Sequence, residues 1–389
     1  MNNRIMIVAG EASGDLHGSR LVSEALKLDP GLVFFGIGGA RMRAAGVETL
    51  VDASEMAVVG LVEGIAHFGV IYGAYRTLKR IIRRDPPDLL ILIDYPDFNL
   101  HIAQLAKRAG VKVLYYIGPQ IWAWRGGRAR KIARLVDRIA VVFPFEVPLY
   151  ERVGAPVTFV GHPLVDAVRP TMSRNAAQAA FGLDPKRQTV GLFPGSRKNE
   201  IKNLFSTILA SAKLLKKRFP KLQFILPLAT TLSHDDLEPS LSASGLDIRV
   251  VEEQGYDVMQ VCDAIITVSG TVTLEIALIG VPMVIIYRVS PLTYEIGKRL
   301  VRIDHAGLCN IVAGERVVPE LIQNAANAES IAEEIITLLT DNDRAAEIKA
   351  KLGTVREKLG EGGCSKRVAE LAIGMLTAGV MPGRATLQQ

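Results

Sequence analysis

Continuous apolar runs of four to six residues alternate along the chain with longer segments of helical period. These runs predict ten strands, at residues 5–9, 33–36, 89–93, 111–115, 139–142, 190–193, 224–228, 248–251, 264–268 and 281–286. Because the runs lack the alternation of a sheet with one exposed face, we expect parallel sheets with helices on both faces. The pattern is typical of an α/β protein built from strand–helix–strand units.

The predicted strands are too many for one compact sheet, and the chain offers a break between residues 163 and 185. Pro163 and Pro170 precede a polar stretch at residues 173–178, after which a new strand begins near Thr189. We therefore expect two Rossmann-like, doubly wound domains, at residues 1–165 and 166–350. Residues 351–389 are expected to form a C-terminal helical segment and tail.

Composition and charge narrow the class of protein. Of the 389 residues, 49% are hydrophobic and 22% charged, which suffices for a large core. The 46 Lys and Arg against 40 Asp and Glu give a net charge of +6, too modest to indicate nucleic-acid binding by itself. Cys262, Cys309 and Cys364 form no CxxC pair, which excludes a disulfide framework or thiolate zinc site and favours a reducing compartment.

No targeting or membrane-spanning segment is expected. Residues 1–8 lead directly into an apolar strand, without the pattern of a signal peptide. The longest apolar stretch, residues 60–75, contains Glu63 and His67 and is shorter than the ~20 residues that a spanning helix needs. We therefore expect a cytoplasmic protein.

Open parallel sheets bind ligands beyond the carboxyl ends of their strands, so the residues after each predicted strand are site candidates. After the first strand, Gly10 is followed by Glu11, Ser13 and Asp15. The glycine spacing does not match GxGxxG, which argues against a dinucleotide. Ser13 and Asp15 could equally cap the next helix, whereas Glu11 has no evident capping role and is the better functional candidate.

Asp94 is the leading candidate for a catalytic base. It follows the buried run at residues 89–93, where partial desolvation raises the pKa of a carboxyl group. Asp97 fits better as a cap of the following helix. His162, in a Gly-His-Pro turn, could orient a substrate or only complete a buried loop.

Two turns in the second half suit phosphate groups. The strand at 190–193 leads to Arg197 at the start of a helix, where backbone N–H groups and a guanidinium can hold a diphosphate; a surface salt bridge is the alternative. The strand at 264–268 leads to Ser269-Gly270-Thr271 and, one turn later, to Glu275, which could accept both hydroxyls of a ribose. Without a Walker Lys or GxGxxG, these turns favour a nucleoside diphosphate conjugate over a hydride cofactor.

Seven segments, in order over nearly the whole chain, resemble the lipid-A-disaccharide synthase family. They are VAGEASGD at 8–15, IDYPDFN at 93–99, GPQIWAWR at 118–125, FVGHPL at 159–164, LFPGSRKNEI at 192–201, SGTVTLE at 269–275 and CNIVAG at 309–314. The combination is specific, although FPGSR or SGT alone would not be. One departure is Cys309, where the family usually has Pro before the Asn, and we expect it to alter loop stiffness rather than chemistry.

The resemblance implies a two-domain GT-B glycosyltransferase of inverting type. Such an enzyme joins UDP-2,3-diacylglucosamine to 2,3-diacylglucosamine 1-phosphate and releases UDP. The N-terminal domain would then face the acceptor and the membrane, and the C-terminal domain would bind the UDP-sugar. GT-B proteins often send their last helix back to the N-terminal domain, which residues 366–376 could do here.

At matched positions the resemblance also implies roles for single residues. Asp94 is the implied base, with Glu11 and Ser13 on the acceptor side. The implied substrate contacts are Arg197 to the diphosphate, Ser269-Gly270-Thr271 to phosphate oxygens, Glu275 to the ribose and Asn310 at the substrate cleft. Because Asp94 and Asp97 do not form a DxD-like pair, we expect a reaction that needs no metal and no cofactor.

Both implied substrates carry acyl chains, so we expect the protein to work at the cytoplasmic face of the inner membrane as a peripheral protein. The apolar residues Val58, Val59, Leu61 and Val62 precede five cations within nine residues: Arg76, Lys79, Arg80, Arg83 and Arg84. This pattern is typical of an interfacial segment on anionic lipid, although an ordinary helix with a solvated basic face would look the same. A second cluster, at residues 122–134, could extend that face or bind RNA.

Three other functions are compatible with part of the sequence. A UDP-sugar 2-epimerase would share the fold but needs no apolar face. Another membrane-associated UDP-N-acetylglucosamine transferase would share the docking but not the motifs. A basic RNA-binding protein would leave Asp94, Arg197 and Glu275 without a role, so we expect no nucleic-acid partner.

Overall fold

A computed structural model of the protein describes residues 3–56, 64–119, 127–290, 294–295 and 304–377; side chains at 64–68 and 127–128 are not included. Contacts divide the chain into two units, Met1–Pro163 with Glu361–Gln389, and Leu164–Gly360. The first stretch of the first unit ends at Pro163, two residues before the expected bound at 165. The second unit ends at Gly360, ten residues after the expected bound at 350.

The first unit is built on one parallel sheet. Its strands are β1 (Arg4–Ala9), β2 (Val33–Gly38), β3 (Glu48–Asp52), β4 (Leu89–Ile93), β5 (Lys112–Tyr116), β6 (Arg138–Val141) and β7 (Val157–Phe159). They lie in the order β3-β2-β1-β4-β5-β6-β7. Every residue of β4 is fully buried, as expected for a strand covered on both faces.

The described helices of the first unit pack on this sheet. They are α1 (Ala12–Leu28), α2 (Ala40–Ala44), α3 (Ala53–Met56), α4 (Gly64–Arg84), α5 (Pro96–Arg108), α6 (Gly127–Leu135) and α7 (Val147–Glu151). In α4, the buried residues Ala74, Leu78 and Ile82 recur every four positions and join the core. One face of α4 therefore packs inward, and the opposite face is left to solvent.

The C-terminal helix, Cys364–Thr377, also belongs to the first unit, where it packs against α1. The thiol of Cys364 contacts the carbonyl oxygen of Gly161 at 3.1 Å. Arg367 donates hydrogen bonds to the carbonyl oxygens of Val160, Glu361 and Gly362, at 2.9, 2.7 and 2.7 Å. Arg367 thus joins the two stretches of chain next to the transitions between units.

The second unit contains a second parallel sheet. Its described strands are β8 (Thr189–Phe193), β9 (Gln223–Leu228), β10 (Ile248–Glu252), β11 (Ala264–Val268), β12 (Met283–Tyr287) and β13 (Glu320–Ile322). They lie in the order β10-β9-β8-β11-β12-β13. The expected α/β fold with two doubly wound sheets is therefore confirmed.

The described helices of the second unit surround this sheet. They are α8 (Leu164–Ala167), α9 (Arg174–Ala180), α10 (Lys198–Glu200), α11 (Ser206–Arg218), α12 (His234–Ser244), α13 (Gly255–Val261), α14 (Val272–Ile279), α15 (Leu308–Ala313), α16 (Ala328–Thr340) and α17 (Asn342–Lys358). A π-helical stretch, Ile201–Phe205, joins α10 to α11. Such stretches are frequent near functional sites.

The sequence pattern did not predict three of the described strands: β3, β7 and β13. Each lies at an edge of its sheet and is five residues long or shorter. Edge strands have one neighbour and are only partly covered, so they do not need a continuous apolar run. The ten predicted strands, by contrast, coincide within a few residues with described strands.

Each sheet reverses its strand order once, between β1 and β4 and between β8 and β11. The loops after these strands separate at such a point and leave a crevice, which is where open α/β sheets bind ligands. Glu11 follows β1 and Asp94 follows β4, while Arg197 follows β8 and Ser269 follows β11. The topology thus places the two groups of predicted site residues at the two reversals.

None of the described helices is long and apolar enough to cross a membrane.

Candidate active site

The chain makes an unusual corner at the end of β4. Asp94 and Tyr95 are consecutive non-glycine residues with φ of +46°. This left-handed conformation costs of order 1–3 kcal/mol per residue and persists only where the surroundings enforce it, often at functional sites.

Three hydrogen bonds hold this corner in place. The amide of Asn99 donates to the carbonyl oxygens of Ile93 and Asp94, at 3.1 and 2.7 Å. The hydroxyl of Tyr115 donates to the same Asp94 oxygen at 2.9 Å. Asn99 is fully buried and was not predicted as a site residue. The sequence feature that could have identified Asn99 is its place within the IDYPDFN motif, in the first turns of the helix after Asp94.

The surroundings of Asp94 suit a general base. Burial raises the pKa of its carboxyl group above the usual value, and the negative charge of Glu11 raises it further. A hydrogen bond from the Tyr95 backbone partly offsets this rise. The direction agrees with the expectation from the sequence, and it makes Asp94 a stronger proton acceptor once ionised.

Of the other polar residues near the corner, Asp97 is exposed in the first turn of α5. The cap position belongs to Tyr95, so the expectation that Asp97 caps the helix is wrong. At this place a carboxylate can still interact favourably with the helix dipole.

The cluster after β1 separates into different roles. Glu11 holds the cap position of α1 without a side-chain capping bond, and Ser13 is exposed in the first turn. Asp15 is buried and accepts hydrogen bonds from the backbone N–H groups of Gly39, Arg41 and Met42, at 2.6, 3.1 and 3.0 Å. Asp15 is therefore a cap, but of α2, a helix distant in sequence.

A cavity of about 620 Å³ opens beside this corner. Its lining residues are Glu11, Ile71, Tyr72, Tyr75, Tyr95, Pro96, Asp97, Phe98 and His101. The ring of Tyr95 lies over Gly10, where an added Cβ would come within 2.6 Å of it. Gly10 is thus required by close packing at the site.

His162 is buried and packs against Phe143, with ring centroids 4.9 Å apart and the ring planes tilted by 41°. Burial, with a smaller contribution from His17, lowers the pKa of His162 to about 4. The imidazole is therefore neutral at pH 7. This arrangement fits the buried-loop alternative, and a contact with substrate stays a prediction.

A second cavity, of about 490 Å³, lies in the second unit. Its lining residues are Phe193, Pro194, Gly195, Ser196, Arg197, Glu200, Pro227, Leu228, Ala229, Thr230, Glu253, Gly255, Met259, Val268, Ser269, Gly270, Thr271, Val272 and Glu275. Both predicted phosphate turns and the predicted ribose carboxylate therefore line one cavity, at the reversal between β8 and β11.

Arg197 reaches into solvent in the first of these turns, with its side chain 81% exposed. Its guanidinium pairs with Glu200 at 3.2 Å, the salt bridge that the sequence left as an alternative. Glu200 also accepts the backbone N–H groups of Ser196 and Arg197, at 2.9 and 3.2 Å. A diphosphate that used these two N–H groups would have to displace the Glu200 carboxylate, a competition that sequence reasoning missed.

The second turn leads to a partly buried carboxylate, that of Glu275, in the first turn of α14. Burial raises the pKa of Glu275, and a hydrogen bond from the Tyr256 hydroxyl, at 3.3 Å, lowers it by a smaller amount. The hydroxyl of Ser269 donates to the carbonyl oxygen of Ala306 at 2.6 Å. The Ser269 side chain is thus engaged in the protein, while Thr271 is exposed.

Asn310 is fully buried, and its amide is engaged by its own unit. It donates to the Val318 carbonyl and to the Glu320 carboxylate, at 2.9 and 2.8 Å, and accepts from the N–H groups of Val317 and Val318. This network organises the loops around α15. A direct contact of Asn310 with substrate stays a prediction that these bonds do not support.

Cys309 lies in the first turn of α15 and is fully buried. The expected effect on loop stiffness is therefore wrong, because this position belongs to a helix. Pro is tolerated in the first turn of a helix, so both residues suit the position.

Among the described residues, no group of three or more His, Cys, Asp or Glu side chains is arranged to hold a metal ion.

Two doubly wound parallel sheets, each with a cavity at its strand-order reversal, are typical of a protein with the GT-B fold. Solved structures share this fold. A putative UDP-N-acetylglucosamine 2-epimerase from Listeria monocytogenes has a TM-score of 0.66 and 14% identity, covering 98% of both chains. The Neisseria meningitidis UDP-GlcNAc 2-epimerase bound to UDP-GlcNAc has a TM-score of 0.61 and 14% identity, covering 95% of this chain and 99% of that one. At such identity the likeness extends to the fold alone.

Sequence comparison is more specific. The family model described as Lipid-A-disaccharide synthetase matches residues 5–373. The lipid-A-disaccharide synthases of Geobacter metallireducens and Geobacter sulfurreducens are 71% and 68% identical over 375 residues, covering 96% of this chain and 98% of each relative. The chain therefore belongs to the lipid-A-disaccharide synthase family, a family of glycosyltransferases. The resemblance seen in the motifs is confirmed.

Proposed function

We propose that Asp94 is the general base of an inverting transfer in which UDP-2,3-diacylglucosamine and 2,3-diacylglucosamine 1-phosphate give the disaccharide 1-phosphate and UDP. The observation that carries this assignment is the enforced corner at the end of β4, where a partly buried carboxyl group lies within the electrostatic influence of Glu11. Strain and a raised pKa together are more typical of a reacting group than of a structural one.

In the proposed reaction, Asp94 removes the proton from the 6-hydroxyl of the acceptor. The resulting oxygen attacks C1 of the donor sugar on the face opposite UDP, and the bond from C1 to the diphosphate oxygen breaks. Glu11 supports this step through its charge, which makes Asp94 more basic.

The donor would bind in the cavity of the second unit. Arg197 can rotate freely because its side chain is exposed, so its guanidinium can turn from Glu200 to the diphosphate. The N–H groups of Gly270, Thr271 and Val272 would offer a second place for phosphate oxygens, while those of Thr273 and Leu274 donate to the carbonyl oxygens of Gly270 and Thr271. Glu275 would accept the ribose hydroxyls while Tyr256 holds its carboxylate.

The test is to incubate the purified protein with both acylated sugars and to measure UDP release together with the disaccharide. Stoichiometric UDP and disaccharide, both requiring the acceptor, would support the proposal. Epimerisation of the UDP-sugar without an acceptor would overturn it in favour of the fold-related epimerase function.

We expect the reaction to proceed without a divalent ion, because Arg197 and two helix starts can stabilise the charge that develops on UDP. Turnover should be unchanged, within about twofold, when EDTA is added to the enzyme as purified. The measurement is the initial rate of UDP release with and without EDTA. A rate that vanishes in EDTA and returns with Mg²⁺ contradicts this prediction.

We also propose that the exposed face of α4 binds the anionic surface of the inner membrane from the cytoplasmic side. Arg76, Arg80, Arg83 and Arg84 are exposed and Lys79 is half-buried. At about 100° per residue, positions 76, 79, 80 and 83 fall on one side of the helix, opposite the buried residues 74, 78 and 82. The apolar residues Val58, Val59, Leu61 and Val62 lie outside the described residues, as do positions 120–126 of the second cluster.

Changing Arg80, Arg83 and Arg84 together to Glu should release the protein from anionic vesicles. Each cation near such a surface contributes ~1 kcal/mol, and this contribution is screened by salt. Vesicle sedimentation at low and high salt measures the loss. Turnover on detergent-dispersed substrate should be largely preserved, while turnover on substrate in vesicles falls.

A matched control reverses three exposed cations on α11 of the second unit: Lys213, Lys217 and Arg218. This variant has the same net charge as the first but should still sediment with vesicles. If both variants, or neither, leave the vesicles, the α4 face is not the docking surface.

A further inference from the structure

The cavity beside the Asp94 corner, which we term the acyl groove, runs between α4 and α5 of the first unit. Residues Ile71, Tyr72 and Tyr75 of α4 form one wall. Phe98 and His101 of α5 form the other. The walls are mainly aromatic and aliphatic, and the carboxylates in the lining are those of Glu11 and Asp97.

The groove is open at its surface and closed at its base. Tyr72 is 52% exposed, one of the few large apolar side chains so exposed among the described residues. Phe98, by contrast, is only 7% exposed and belongs to the core. An open channel with an apolar floor leaves apolar surface in contact with water, and an apolar ligand that covered this surface would bind favourably.

The groove lies next to the proposed site of proton transfer. Tyr95, which lines it, is adjacent to Asp94 in the chain, and Glu11, which also lines it, acts electrostatically on Asp94. A chain in the groove would therefore belong to a sugar whose hydroxyl group lies near Asp94. The carboxylates of Glu11 and Asp97 disfavour an anionic group in the groove, so the 1-phosphate of the acceptor would lie outside the groove and a neutral acyl chain inside it.

We propose that the acyl groove binds an acyl chain of the acceptor sugar and sets the chain length that the enzyme prefers. This inference rests on the proposed function, since it assumes that the acceptor hydroxyl reaches Asp94. The chain lies along Tyr72, Tyr75 and Phe98, with His101 beside it on α5. Each methylene that is buried in such a groove favours binding by about fourfold, so a few methylenes give a strong preference.

The test compares two acceptors that differ by four methylenes in each acyl chain, in mixed micelles with saturating donor. His101→Trp places a bulky ring in the groove. It should lower kcat/KM for the longer acceptor by roughly tenfold or more and for the shorter acceptor much less. The KM of the donor should not change, because the donor cavity lies in the other unit.

Gln104→Trp is the matched control, since residue 104 is exposed on the same helix and does not line the groove. It should leave the ratio of kcat/KM values for the two acceptors as in the parent. A second pair of variants removes the wall: Tyr72→Ala should weaken the preference for the longer chain, and Tyr72→Phe should keep it.

Equal losses for both acceptors in His101→Trp, or an unchanged ratio in both His101→Trp and Tyr72→Ala, would overturn the groove assignment. Should His101→Trp fail to fold, the Tyr72 pair decides alone. A parent enzyme that forms disaccharide with no change of preference in the variants refutes the groove only. A parent enzyme that forms no disaccharide refutes the proposed function itself.

Discussion

Asp94→Asn is expected to lower turnover by ~10²-fold or more, the scale of a lost general base, while UDP-sugar binding stays nearly intact. The amide has almost the shape of the carboxylate and keeps the backbone contacts of the corner, but it cannot take the acceptor proton. Single-turnover kinetics and donor titration measure the two quantities separately. Turnover within a few-fold of the parent would remove Asp94 as base and move attention to Glu11.

The pH dependence of the parent provides a second readout for Asp94. A base must be ionised, so kcat/KM falls as the pH drops through the pKa of Asp94. Because burial and Glu11 both raise this pKa, the acid limb should lie above the pKa of an ordinary Asp. Glu11→Gln removes one of the two causes and should shift the limb to lower pH. An acid limb at the same pH in Glu11→Gln and in the parent would contradict the assignment.

Arg197→Ala is expected to weaken the binding of UDP and of the UDP-sugar together, because both present a diphosphate to the same turn. A charged contact of this type contributes ~1.5–3 kcal/mol, which corresponds to roughly 10- to 100-fold in affinity. Titration calorimetry with each ligand measures the change. An unchanged UDP affinity would leave Ser269-Gly270-Thr271 as the only candidate phosphate turn.

The exposed position of Arg197 makes this variant easy to interpret. Its salt bridge with Glu200 is largely in solvent, so its loss should change the free energy of unfolding by less than about 1 kcal/mol. Lys198→Ala is a suitable control, since Lys198 is 76% exposed and pairs with Asp236 outside the cavity. It should leave UDP affinity unchanged. A similar loss of affinity in both variants would indicate a general effect of charge rather than a specific contact.

The sequence alone predicts those structural features in which a residue's surroundings are set by its neighbours in sequence. The apolar run of β4 predicted a buried strand, and the polar residue after it had to emerge at the sheet's carboxyl edge. Arg197, Ser269 and Glu275 were found in the same way, and they line one cavity. The family was readable because several short motifs recur together in the right order.

Other features depended on contacts between distant parts of the chain, and only the tertiary structure decided them. Asp15 caps α2 rather than its own helix, because folding brings residues 39–42 to it. The edge strands are defined by a partner strand rather than by an apolar run. The acyl groove exists because α4 and α5, separated by β4, pack side by side. Periodicity and motifs record what a residue's own segment requires, whereas burial and hydrogen-bond partners are set by the packing of segments far apart in sequence.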